Sequence, residues 1–164
     1  MSKAVAIRID DESKQQAEQM LGEIGLNMAT YITSSNCIFC NYKNDAYGSV
    51  LFENDFCVCM EQPEPILVGS CIVIPRAHRI TVFDLTREEW AATKQLIDKA
   101  KQYLDAKYRP DGYNIGWNCG EVGGQTVFHA HLHIVPRHAD EPFAGRGIRN
   151  LIKRDENRRP SKKS

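Results

Sequence analysis

The stretch Gly123-Gly124-Gln125-Thr126-Val127-Phe128-His129-Ala130-His131-Leu132-His133-Ile134-Val135-Pro136-Arg137 decides how this chain is read. His129, His131 and His133 alternate with Ala130, Leu132 and Ile134. Successive side chains of a β-strand point to opposite faces. The alternation therefore predicts one strand with three imidazoles on one face and an apolar row facing the core. Histidine is the side chain most easily tuned near neutral pH as base, acid, nucleophile or metal ligand. Three of the five histidines of the chain fall here, too concentrated for a surface strand that carries histidines by chance.

The run Gly124-Gln125-Thr126-Val127, then His129, His131 and His133 followed by apolar Ile134 and Val135, resembles the signature of the histidine triad (HIT) superfamily of nucleotide hydrolases and transferases. The resemblance spans about residues 36–157. It implies an α+β fold, a mostly antiparallel sheet with one long helix packed on it, in a domain over residues 35–152. It further implies that His131 is the nucleophile on the α-phosphorus of a bound nucleotide, with His129 and His133 as its catalytic neighbours. His133 would hold the tautomer of the central ring. Gln125 would stand near the leaving oxygen, and Asn118 and Thr126 would contact phosphate. A nucleotidyl-histidine forms and water cleaves it, which is covalent catalysis in two easier steps.

Upstream, Asn36-Cys37-Ile38-Phe39-Cys40 carries a Cys-x2-Cys knuckle. Two thiolates at this spacing clasp a zinc ion from one turn, although a redox pair would look the same. By resemblance, His78, in Ile74-Pro75-Arg76-Ala77-His78, and His129 complete a structural Zn²⁺ site with Cys37 and Cys40. The remaining cysteines, Cys57, Cys59, Cys71 and Cys119, lack ligand spacing and read as small hydrophobes.

Ser49–Phe52 and Phe56–Met60 flank a turn-like Glu53-Asn54-Asp55, so they read as a hairpin, and Gly69–Pro75 as a further strand. HIT proteins usually place Asp or Asn after the second strand to accept ribose hydroxyls. Here that position is Gln62, with Glu61 beside it; either could hydrogen-bond a hydroxyl. Leu67-Val68-Gly69-Ser70 replaces the usual Pro-Gly-His. Thr86-Arg87-Glu88-Glu89 is a capping box that opens a helix to about Tyr108, with Trp90, Ile97, Ala100 and Leu104 as its core stripe. Arg109-Pro110-Asp111-Gly112 ends it, Tyr113–Asn118 forms a strand, and the glycine-rich run to Gly124 brings backbone N–H groups close to anionic oxygens.

Residues 1–34 read as a strand (Ala4–Ile9), a helix with Ala17, Met20, Leu21 and Ile24 on one stripe, a stop at Gly25 and a short second helix capped by Asn27. Residues 3–32 resemble the ribbon-helix-helix module of RelB-type antitoxins. That resemblance implies a dimerising or packing appendage, with a DNA-binding regulator as the alternative. The tail 153–164 has six basic residues against two acidic ones and reads as a disordered basic end.

The 164 residues carry 21 basic and 21 acidic side chains. This balance gives no overall attraction to nucleic acid. No apolar run approaches the ~18 residues of a membrane span. Without a signal-peptide core, six cysteines point to reduced thiols or ligands and a cytoplasmic chain. The expected activity is hydrolysis of a nucleotide phosphoanhydride or phosphoramidate, such as a dinucleoside polyphosphate, by a homodimer. A nucleotidyl transferase is the alternative.

Overall fold

A computed structural model of the chain describes residues 37–43 and 47–159; the strand-helix-helix expected over residues 1–34 lies outside these. Five strands form one antiparallel sheet: β1 (Ser49–Glu53), β2 (Cys57–Glu61), β3 (Cys71–Pro75), β4 (Gly112–Trp117) and β5 (Leu132–Arg137). The order is β1-β2-β3-β5-β4, with β4 at an edge. One long helix, α1 (Arg87–Tyr108), connects β3 to β4 and packs on the sheet. A short turn of helix, α2 (Arg149–Ile152), follows β5.

Alternation divides the sheet into two faces. Cys57 and Cys59 of β2, Cys71 and Val73 of β3, and Leu132 and Ile134 of β5 meet α1. Val58 and Met60, with Ile72 and Ile74, face the other way and pack with Cys37, Phe39 and Tyr42 of the N-terminal knuckle. Strands β2 and β3 are thus covered on both sides, which is why their sequences read as continuous apolar runs. The three strand cysteines are indeed core residues, whereas Cys119 is only half-buried.

The hairpin turn is set by Asn54. Its carboxamide oxygen accepts from the backbone N–H of Phe56 at 3.1 Å and Cys57 at 2.8 Å, and its amide donates to the carbonyl of Ala92 at 3.0 Å. One side chain therefore shapes the β1–β2 turn and ties it to α1.

Helix α1 starts at the expected capping box, with Thr86 accepting from the Glu89 N–H and Glu89 accepting from the Thr86 N–H at 2.8 Å. It ends at Arg109, which takes a left-handed conformation at φ 51°. Its buried stripe is Ala92, Thr93, Leu96, Ala100 and Leu104. The sequence reading placed Trp90 on that stripe. The indole is instead 54% exposed and stacks on Trp117 of β4 with centroids 6.3 Å apart. Buried Glu89 takes the inward position at the head of the helix, drawn there by Arg79. Nor is the start of the tail structureless: residues Asp155–Asn157 form a 3-10 turn, Asn157 donates to the Ile152 carbonyl and Arg158 pairs with Asp155.

Leu96 has no exposed surface and sits at the centre of the helix–sheet core. We expect Leu96→Ala to lower unfolding free energy by about 2–5 kcal/mol, read from urea denaturation; a loss below about 1 kcal/mol would contradict this packing.

Candidate active site

Strand β5 proper begins at Leu132, so only His133 is a paired strand residue; His131 precedes the strand and His129 lies in the bend before it. Alternation nevertheless persists in the burial. Ala130, Leu132 and Ile134 are buried. The rings of His131 and His133 meet edge to face at 4.8 Å.

Each histidine has a different hydrogen-bond environment. The Nδ1 of His131 lies 2.8 Å from the backbone carbonyl of His129. A carbonyl only accepts, so Nδ1 carries the proton and, in the neutral ring, Nε2 keeps its lone pair. The tautomer is thus fixed by the backbone of His129, whereas the sequence reading gave that task to His133. Burial lowers the pKa of His131, which favours the neutral ring. His133, also lowered by burial and by His131, has a buried Nε2 without a partner among the described residues. Both rings line one cavity of about 440 Å³ with Phe39, Gln62, Leu67 and Thr126.

His129 faces elsewhere. Its Nε2 lies 2.9 Å from the carbonyl of Pro75, and its Nδ1 is 3.4 Å from Cys37 Sγ and 3.5 Å from Cys40 Sγ. The carbonyl takes the Nε2 proton, leaving the Nδ1 lone pair toward the thiols. His78 brings Nδ1 to 3.2 Å from Cys40 Sγ. The four ligand atoms of Cys37, Cys40, His78 and His129 all lie within 4.8 Å of one another. Two sulfurs and two nitrogens at this spacing fit a tetrahedral zinc site. Burial and the neighbouring Cys37 push the Cys40 thiol up to about 12, and burial chiefly brings His129 down to about 4. A bound cation would reverse that balance at Cys40. With Nε2 donating to a backbone carbonyl and Nδ1 turned toward the thiols, His129 is placed as a candidate metal ligand rather than a proton-transfer group.

Phe39, inside the knuckle, packs edge-on against His129 at 6.0 Å and His131 at 5.1 Å. The clasp thereby sets one wall against the central imidazole. Sequence reasoning passed over Phe39, although its place between the cysteines was the available signal. Arg79 was passed over too. Its Nε donates to both oxygens of Glu89 at 3.0 Å, and its carbonyl accepts from the Ala130 N–H at 2.6 Å. It joins the head of α1 to the residue between His129 and His131.

The remaining candidates separate. Gln125 is buried and fully used by backbone. Its oxygen accepts from the Gly120 N–H at 2.8 Å, and its amide donates to the carbonyls of Ile80 and Val127. It holds the glycine loop, whose turn closes at Gly124 with φ 85°. Asn118 is exposed and donates to the Gly124 carbonyl at 3.4 Å. Gln62 lines the cavity and donates to the Tyr47 carbonyl at 3.0 Å. Gly48 makes this approach possible, since a Cβ there would lie 2.4 Å from the Glu61 carbonyl oxygen and 3.0 Å from Gln62 Nε2. Glu61 is carried to the helix face, where Tyr108, Tyr103 and Lys107 bind its carboxylate. It does not line the histidine cavity.

The HIT domain model matches residues 43–140. The chain belongs to the HIT domain family. It is 31% identical over 123 residues to an uncharacterized HIT-like protein of Mycoplasma genitalium, covering 74% of this chain and 87% of that one. It is 30% identical to an adenosine 5'-monophosphoramidase of Schizosaccharomyces pombe, over 68% of this chain and 82% of the relative. Among solved structures, a zinc-bound histidine triad family protein from Mycobacterium smegmatis superposes with a TM-score of 0.60 at 29% identity, covering 70% of this chain and 84% of that one. The HIT fold expected from the signature is therefore the fold of this chain.

Burial alone would raise the pKa of Glu61, but hydrogen bonds from Tyr108 and Lys107, the Lys107 charge and Tyr103 hold it below the usual carboxylate value. A depressed folded pKa gives stability that is present above the unfolded value of about 4.3 and is lost as pH falls through the folded one. The stability gap between the parent chain and Glu61→Gln should stay constant above about pH 5.5 and narrow below about pH 4. Chemical denaturation across pH measures it, and a gap that widens on acidification would contradict the assignment.

Proposed function

We propose that this protein cleaves a nucleotide at its α-phosphorus, at a phosphoanhydride or phosphoramidate bond, through a nucleotidyl-His131 intermediate. The observation that carries this reading is the 2.8 Å contact between His131 Nδ1 and the His129 carbonyl, which leaves Nε2 as the free nucleophile beside the cavity. Nε2 attacks phosphorus, and the bond to the leaving oxygen or nitrogen breaks with its electron pair. Positive charge developing on the ring is stabilised by the same carbonyl. Water then displaces histidine from phosphorus, loses a proton and releases the mononucleotide. Thr126 in the cavity wall and His133 Nε2, which has no partner among the described residues, would meet substrate oxygens. Gln62 is the candidate for a ribose hydroxyl.

Cys37, Cys40, His78 and His129 would hold Zn²⁺. When bound, the ion neutralises the thiolates and fixes the knuckle, a structural contribution. The name of the fission yeast relative, a monophosphoramidase, supports the hydrolytic reading, and the zinc-bound mycobacterial structure supports the metal. We also read the chain as a cytoplasmic homodimer. No helix among the described residues is long and apolar enough to cross a membrane. Edge strand β4 and the head of α1 leave Ile115 and Trp90 exposed for a second copy.

His131→Ala should reduce turnover of adenosine 5'-phosphoramidate by on the order of 10³-fold or more while circular dichroism stays native. Near-parental turnover would overturn the nucleophile assignment. Adding inorganic phosphate separates the alternatives: a transferase would place it in the product, whereas a hydrolase yields the mononucleotide alone. For the metal, we expect one zinc per chain by elemental analysis, and Cys40→Ser to lose both the ion and thermal stability. Undiminished zinc in that variant would contradict the ligand set.

A further inference from the structure

Glu89 is the one carboxylate buried among the described residues, only 3% exposed, and the chemistry proposed above does not use it. Both of its oxygens accept from Arg79 Nε at 3.0 Å, and one of them also accepts from the Thr86 N–H at 2.8 Å. Burying a charge is costly unless it is paired and hydrogen-bonded, and even a paired charge adds little stability over apolar packing. What the pair does supply is a fixed place for Arg79.

Arg79 and Ile80 belong to no strand or helix; they lie in the connection that follows β3. Two consecutive carbonyls of this connection reach the segment before β5. The Arg79 carbonyl accepts from the Ala130 N–H at 2.6 Å, and the Ile80 carbonyl accepts from Gln125 Nε2 at 2.6 Å. The Ala130 N–H and the His129 carbonyl are the two ends of one planar peptide group. Holding the N–H at Arg79 therefore aims the carbonyl at His131 Nδ1, 2.8 Å away. Gln125 also accepts from the Gly120 N–H at 2.8 Å, so the Ile80 carbonyl steadies the glycine loop through it. The Arg79 side chain ties both grips to the head of α1.

We propose that Glu89 and Arg79 are positioning residues for His131: their ion pair anchors the Arg79 carbonyl, which orients the 129–130 peptide and with it the tautomer of the nucleophile. Their role rests on the nucleophile reading given above, and neither side chain lines the histidine cavity. Glu89→Gln separates the two tasks of the carboxylate. The amide oxygen still accepts from the Thr86 N–H, but the amide nitrogen opposes Arg79 Nε, donor against donor. The helix keeps its start while Arg79 loses its anchor.

The test compares the full chain with Glu89→Gln and Thr86→Ala in three measurements: turnover of adenosine 5'-phosphoramidate, zinc content, and the ¹⁵N–¹H correlation of the His131 ring. We expect Glu89→Gln to lower kcat on the order of 10²-fold with KM unchanged. Its zinc content should equal that of the parent, and its His131 ring should show a mixture of the two neutral tautomers. Thr86→Ala removes only the hydroxyl that caps the Glu89 N–H, so it should lower thermal stability and leave kcat and the tautomer as in the parent. Parental kcat and a single tautomer in Glu89→Gln overturn the positioning role. An equal kcat loss in Thr86→Ala overturns it too, since general destabilisation would then account for the effect, and so does a loss that comes with loss of zinc. Absence of turnover in the parent chain overturns the nucleotide reading instead; the tautomer of Glu89→Gln then decides the positioning role by itself, and a single Nδ1-protonated form sinks it.

Discussion

The contact on which the site depends is the one between the Nδ1 of His131 and the backbone carbonyl of His129. It needs no ionised partner and no water. It selects one tautomer of a ring that is only 6% exposed. Much of the rest of the domain bears on keeping that carbonyl in place. The Ala130 N–H is held by the Arg79 carbonyl, Arg79 by buried Glu89, and Glu89 by the capping box that starts α1. On the other side the His129 ring is fixed between the Pro75 carbonyl and the two knuckle cysteines. A displacement at the head of α1 or in the knuckle would therefore reach the central imidazole through the backbone.

This arrangement gives three histidines in alternation three different environments. His129 spends both nitrogens on structure, His131 spends one, and His133 has an Nε2 with no protein partner among the described residues. Backbone carbonyls, not neighbouring side chains, decide which nitrogen of His129 and of His131 carries the proton, and the proposed roles of ligand, nucleophile and substrate contact follow that difference. Phe39 couples the first two, since it touches both rings from within the cysteine knuckle.

The sequence disclosed the parts whose signal is local. The period-two pattern of 129–134 showed which side faces the core, the Thr86–Glu89 box placed the start of α1, and the Cys-x2-Cys spacing together with the family resemblance gathered four candidate ligands whose side chains do converge. What it could not disclose depends on contacts between distant segments. Glu61 and Gln62 are neighbours in sequence, yet the strand sends the first to Tyr103, Lys107 and Tyr108 and the second to the cavity. Trp90 fits a helical stripe by spacing, but Glu89 takes the inward place to meet Arg79, and the indole stays exposed against Trp117. Gln125 reads as a catalytic amide in the motif, while its three backbone bonds come from Gly120, Val127 and the remote Ile80.

The most direct measurement is long-range ¹⁵N–¹H correlation of the histidine rings by NMR at neutral pH, with His131 assigned by substitution. The account predicts a neutral His131 ring protonated at Nδ1, with Nε2 showing the shift of an unprotonated nitrogen. A ring protonated at Nε2, or a doubly protonated imidazolium, would contradict it.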